Sequence, residues 1–135
     1  MIRDPQAKLE IAQDWSVVRK LCEGSHRQYQ SENGSFINES RAEDSYNLPL
    51  VLVYCVLDTC LDELVAQGVF SCTTWKLGPK MKASRGALPW KDYDLVDTGR
   101  DRRNDLAHRA KLQPKAECLR YIQAVENELT VWGIL

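Results

Sequence analysis

From Leu48 to Leu57 the chain is almost entirely apolar, and the pattern continues through Leu61, Leu64 and Val65 towards Gln67 and Gly68. Few folds accept such a segment. Val51, Val53 and Val56 would suit a buried strand, but a pattern sustained for about twenty residues is longer than strands usually run. A bilayer span is excluded as well, because the most apolar stretch lasts only about ten residues before Asp58. The segment is therefore predicted to be a helix that opens around Ser45 to Pro49. Being apolar on most sides, it should lie at the centre of a bundle.

Three further segments have helical period. Asp4-Pro5 combines a capping residue with the imino acid that suits a first helical position. Behind it Leu9, Ile11, Ala12, Trp15, Val18, Leu21 and Cys22 recur at three- and four-residue spacing, and Gly24 is the expected stop. A third long helix is predicted over about 91–111, its middle weakened by Thr98-Gly99, with Leu95, Val96, Leu106, Ala107 and Ala110 as its apolar contacts. Pro114 starts a fourth, carrying Leu119, Ile122, Val125, Leu129 and Trp132 on one face. Residues 25–44 are polar and read as a loop with a short helical piece near 38–44. Residues 69–90, broken by Gly78-Pro79, Gly86 and Pro89, leave room for one short basic helix near 79–85. The expected fold is all-α, an antiparallel bundle of four main helices plus a short one. At 135 residues the chain 1–135 is expected to form a single domain.

Net charge is −1, which excludes a uniformly basic nucleic-acid binder, yet the charge is unevenly spread. Residues 1–65 hold 11 acids and 6 bases, whereas 66–135 hold 8 acids and 12 bases. Lys76, Lys80, Lys82, Arg85 and Lys91 fall in a stretch without an acid, so a local anion-binding face is allowed. The cysteines are five, an odd number with no C-x-x-C pair, and Cys55, Cys60 and Cys118 read as small core hydrophobes. Cys22 and His26 have ligand spacing, but Gly24 interrupts them and no second pair exists, so no metal or other cofactor is expected. The opening Met-Ile-Arg-Asp-Pro is not a secretory leader. A cytoplasmic protein without membrane association is the expectation.

Residues 100–111, Arg-Asp-Arg-Arg-Asn-Asp-Leu-Ala-His-Arg-Ala-Lys, carry the densest chemistry. Five bases face two acids, four of the bases are arginines, and a histidine lies among them. The planar arginine fork suits phosphate, and histidine can accept and return a proton near neutral pH. With the Asn104 amide these groups could bind a phosphodiester, stabilise added charge and move protons without a metal. On an ideal helix Asn104 and His108 share a face. Arg103 and His108, five residues apart, are separated by roughly 140° and about 7.5 Å along the axis. The spacing permits one site, within a chain or shared with a symmetric partner.

At these residues the sequence resembles a family. Arg103-Asn104-Asp105-Leu106-Ala107-His108 is similar to the R-x4-H core of the HEPN superfamily (higher eukaryotes and prokaryotes nucleotide-binding), including the polar residue after the arginine. The long apolar helix before it, the Lys-rich Lys76–Lys82 segment and the closing amphipathic helix agree with that likeness. The resemblance implies a HEPN-like fold and a metal-independent endoribonuclease, acting as a toxin–antitoxin or antiphage-defence effector. It also implies a homodimer with the site at the interface, and as partner a nucleotidyltransferase-type antitoxin or another regulatory protein.

Carried over by position, Arg103 and His108 become catalytic, with Asn104 positioning them. A polar residue of the preceding helix often assists in the family; Asp58, Thr59 and Asp62 are the candidates. Arg102, Arg109, Lys82 and Arg85 are candidates for the RNA backbone, although each taken singly reads as a solvated cation. Trp75 and Trp90 could stack on a base, whereas Trp15 and Trp132 belong to core or interface stripes. The apolar end Leu129, Trp132, Ile134, Leu135 favours a dimer. A non-catalytic HEPN-like module that binds nucleotides or a protein is the alternative, and an unrelated helical adaptor a third.

Overall fold

Asp4 and Pro5 open the first helix in the computed structural model, which describes residues 1–23, 26–30, 36–40 and 44–135. The Asp4 carboxylate accepts from the Gln6 N–H at 3.0 Å, and Pro5 occupies a position where no N–H is needed. Helix α1 (Pro5–Glu23) buries Ala7, Ile11, Trp15 and Val18. Leu9 and Ala12, counted in the same stripe from sequence, are exposed. The expected stop, Gly24, lies outside the described residues.

The polar stretch that follows departs from expectation. Strands β1 (His26–Gln30) and β2 (Phe36–Ser40) pair antiparallel, with His26 opposite Ser40 and Gln30 opposite Phe36. Residues 38–40 are thus extended where a short helical piece was expected, and 41–43 lie outside the described residues. Asn33-Gly34 between aromatic and β-branched residues was the available hairpin signal.

Helix α2 (Asn47–Ala66) is the centre of the fold. Leu50, Val53, Tyr54, Leu57, Cys60, Leu61 and Leu64 have no exposed surface, and the helix packs against α1 and against the three helices that follow it. Those are α3 (Leu77–Ser84), α4 (Tyr93–Arg109) and α5 (Lys115–Val131). Among the described residues four long helices and one short one make an all-α bundle around one continuous apolar cluster. Two ends are closed in the same way. Gly68 (φ 76°) and Gly133 (φ 68°) take the left-handed conformation. Each lets the next amide reach back, Val69 N–H to Leu64 C=O at 3.0 Å and Ile134 N–H to Leu129 C=O at 2.9 Å.

The second closure folds the C-terminus inwards. Leu129, Trp132 and Ile134 are buried within the chain itself, so the apolar end supplies no argument for a dimer. Cys60 and Cys118 are buried as expected, but Cys55 is exposed on the outer side of α2. Burial pushes the Cys60 thiol up to about 12 and the Cys118 thiol to about 11. No disulfide joins the cysteines.

Helix α4 is fixed at its start by several contacts. Buried Glu128 of α5 accepts from the Lys91 N–H at 2.8 Å and the Asp92 N–H at 2.6 Å. Asp92 in turn caps the helix through the Leu95 N–H at 3.2 Å. Trp90 packs edge-on against Tyr93 and Trp132, and its indole N–H donates to Ser84 Oγ at 3.0 Å. One turn further on, Gly99 explains the weak point read from sequence. A Cβ there would overlap the Tyr54 hydroxyl and lie 2.8 Å from the Tyr121 ring. That closeness lets the Tyr54 hydroxyl donate to the Val96 carbonyl at 2.7 Å.

Candidate functional site

Spacing on α4 decides what faces outward beyond Gly99. Arg100, Arg103, Asn104 and His108 recur three or four residues apart, except for the five-residue step from Arg103 to His108. All four line a groove of about 560 Å³. Asp58 of α2 contributes to another wall, and Trp75, Lys76, Gly78 and Pro79 form the side that leads into α3. The three residues singled out as catalytic candidates therefore share one cavity. Arg103 is half-buried and faces α2, while His108 is exposed in the last turn of α4, and the groove extends from one to the other.

The guanidinium groups differ in how they are held. Arg103 Nε is removed from solvent and has no hydrogen-bond partner among the described residues. Burial raises the pKa of the neighbouring Tyr54 hydroxyl, and the positive charge of Arg103 opposes that rise only in part. The Tyr54 hydroxyl therefore stays neutral beside the arginine. Arg100 is oriented by Asp97, which accepts from its Nε at 2.8 Å. Its guanidinium lies against Gly78, where a Cβ would stand 3.2 Å from the central carbon. The Gly78-Pro79 pair, read from sequence only as a helix breaker, thus makes room for a cation.

Beneath the groove Lys80 is buried to 2% exposure and pairs with both Asp58 and Asp62, the latter at 2.6 Å. Burial works to lower its pKa, but hydrogen bonds and attraction from the two carboxylates outweigh that, and the net shift is upward. Lys80 stays charged. The pair also settles which acid of α2 reaches the groove: Asp58 lines it, Asp62 turns to Lys80, and the Thr59 hydroxyl bonds the Cys55 carbonyl at 3.1 Å. Asp58 takes Lys80 of α3 as its partner, not an arginine of α4, so the carboxylate that lines the groove among the described residues is partly offset by an ammonium it shares with Asp62.

The other cations named from sequence are not among the residues lining this groove. Arg102 pairs with Asp105 at 3.4 Å, and its charge acts on the Tyr121 hydroxyl of α5. Arg109 is exposed at the end of α4, and Lys82 is exposed on α3. Arg85 lies 4.3 Å from the centre of the Tyr93 ring, a cation–π contact. Trp90 is half-buried against Tyr93 and Trp132 and is not among the residues that line the groove, whereas Trp75 is 81% exposed at the groove. Sequence reading missed Arg100 and Lys76 as groove residues. Helical spacing from Arg103 and Asn104 was the signal for the first.

Among the described residues no three His, Cys, Asp or Glu side chains gather as a metal site would require. No helix of these residues is long and apolar enough to cross a membrane. No protein-family model, curated protein or solved structure matches the chain.

Proposed function

We propose that the groove binds the RNA backbone and cleaves it without a metal ion. The observation that carries this reading is that Arg103, Asn104 and His108 line one groove together with Arg100 and Lys76. His108, exposed where a ribose can approach, takes the proton from a 2′-hydroxyl. The 2′-oxygen bonds to the adjacent phosphorus, the bond from phosphorus to the 5′-oxygen breaks, and that leaving oxygen takes up a proton. A 2′,3′-cyclic phosphate and a 5′-hydroxyl result. Arg103 and Arg100 offset the negative charge that grows on the phosphoryl oxygens, and the Asn104 amide orients the phosphate or the imidazole. Each chain carries one histidine in this groove, so a homodimer that joins two grooves would supply a separate acid for the leaving group. In the setting suggested by the R-x4-H likeness, the protein is a cytoplasmic HEPN-type effector of toxin–antitoxin or antiphage defence, restrained by an antitoxin or another regulatory protein.

The test is incubation of mixed tRNA and mRNA in EDTA with wild type and His108→Ala, alongside the 2′-deoxy equivalent. Wild type alone is expected to cut, and only RNA, because the 2′-hydroxyl is the nucleophile. Cutting of the deoxy strand, loss of activity in EDTA, or equal cutting by His108→Ala would overturn the mechanism. If neither protein cuts but both bind RNA, the groove belongs to a non-catalytic nucleotide-binding module.

A further inference from the structure

We infer that Trp75 is a stacking platform for a nucleobase whose attached phosphate is held by Lys76, Arg100 and Arg103, so that the groove receives a whole nucleotide. The choice of ligand rests on the RNA reading above. Among the described residues Trp75 is the most exposed of the large hydrophobic side chains, at 81%. The other three tryptophans are accounted for by packing, Trp15 and Trp132 in the core and Trp90 against Tyr93 and Trp132.

The backbone under Trp75 is anchored on both sides. Phe70 and Leu77 are buried, and the Lys76 N–H donates to Thr74 Oγ1 at 3.2 Å. A large ring is thus held in solvent by a fixed segment, beside three cations. Beside Leu77 and Pro79, the ring's companions on the groove include Lys76, Arg100, Asn104 and His108, a more cationic surround than an apolar protein anchor calls for. That surround matches a base joined to a phosphate, since every base offers a π-face and the strand supplies the anions. A free mononucleotide has the same chemistry as one nucleotide of a strand.

Equilibrium binding of wild type, Trp75→Ala and Trp75→Phe tests the assignment. The probes are a single-stranded 2′-O-methyl oligonucleotide of mixed sequence, the same strand made abasic, and AMP. Trp75→Ala is expected to weaken the base-bearing strand roughly 5- to 150-fold, with Trp75→Phe recovering most of the loss. The abasic strand should bind wild type and Trp75→Ala alike. Trp75-dependent binding of AMP would show that one base and one phosphate suffice; dependence on the strand alone would show that further phosphates are needed. Both support the platform. An equal loss on the abasic strand, or no loss on either strand, overturns it, the second outcome pointing to a protein partner. Trp75-dependent binding without cleavage keeps the platform and removes the proposed reaction, and cleavage with Trp75-independent binding does the reverse.

Discussion

The two halves of α4 are built on opposite terms. Its first half is clamped: Glu128 and Asp92 hold the entry, Val96 is fully buried, and Gly99 lets Tyr54 and Tyr121 close on the backbone. Its second half buries no side chain completely, and presents Arg103 and Asn104 half-covered and His108 in the open. The same helix is therefore a structural element at one end and a display surface at the other. Rigid packing over the first two turns fixes the direction in which the last two point, so polar groups can be placed in a groove without being part of the core.

The difference predicts which readout each substitution moves. His108→Ala should have the largest effect, a loss of about 10²–10⁴ in cleavage rate, while the urea midpoint changes by no more than about 0.5 kcal/mol of stability. Gly99→Ala should do the converse. Overpacking costs about 1–3 kcal/mol and exceeds the roughly 1 kcal/mol gained in helix propensity, which urea unfolding would register. If Gly99→Ala proved stabilising, the first half would not be clamped as described. Glu128→Gln keeps one acceptor oxygen for two N–H donors. Its expected cost is about 1–2 kcal/mol, and unchanged stability would show that the cap is held by Asp92 alone.

A last readout is a pH dependence. Burial raises the pKa of the Tyr54 hydroxyl and of the Cys60 and Cys118 thiols, the thiols to about 12 and 11. The folded chain holds these protons more tightly than the unfolded chain. Their contribution is therefore complete below the ordinary thiol value of about 8.5 and declines as pH rises towards the folded values. Urea midpoints should fall between pH 9 and pH 11, and Tyr54→Phe should make that fall shallower. A flat profile would show that the protons of these groups are not held by the packing around α2.

Helices α1, α2 and α5 were legible because each carries an apolar stripe long enough to have only one period, and their ends carry Pro5, Gly68 or Pro114; α4 buries only Val96 and Gly99, and two of its expected apolar contacts, Ala107 and Ala110, are exposed. The strands at 26–30 and 36–40 were not legible, since they are short and polar and lack a stripe. At the candidate site the R-x4-H spacing led to Arg103, Asn104 and His108. Pairings across helices were beyond it. Nothing local distinguishes Lys80, buried between two aspartates, from Lys82, exposed two residues later. The same holds for Trp75 and Trp90, where tertiary packing alone half-buries one ring and leaves the other bare.

The end of α4 has a consequence of its own. Ala110, with φ 50° and ψ 32°, is the non-glycine residue that takes a left-handed conformation among those described, a posture that costs an L-residue roughly 1–2 kcal/mol. The helix accepts this penalty two residues after His108. Unwinding the final turn relieves it, which lowers the cost of opening that turn. The imidazole thus rides on a segment that can fray on its own while Gly99 and the capped entry remain closed. On the RNA reading proposed above, opening of that turn is where a strand would gain room without loosening the bundle.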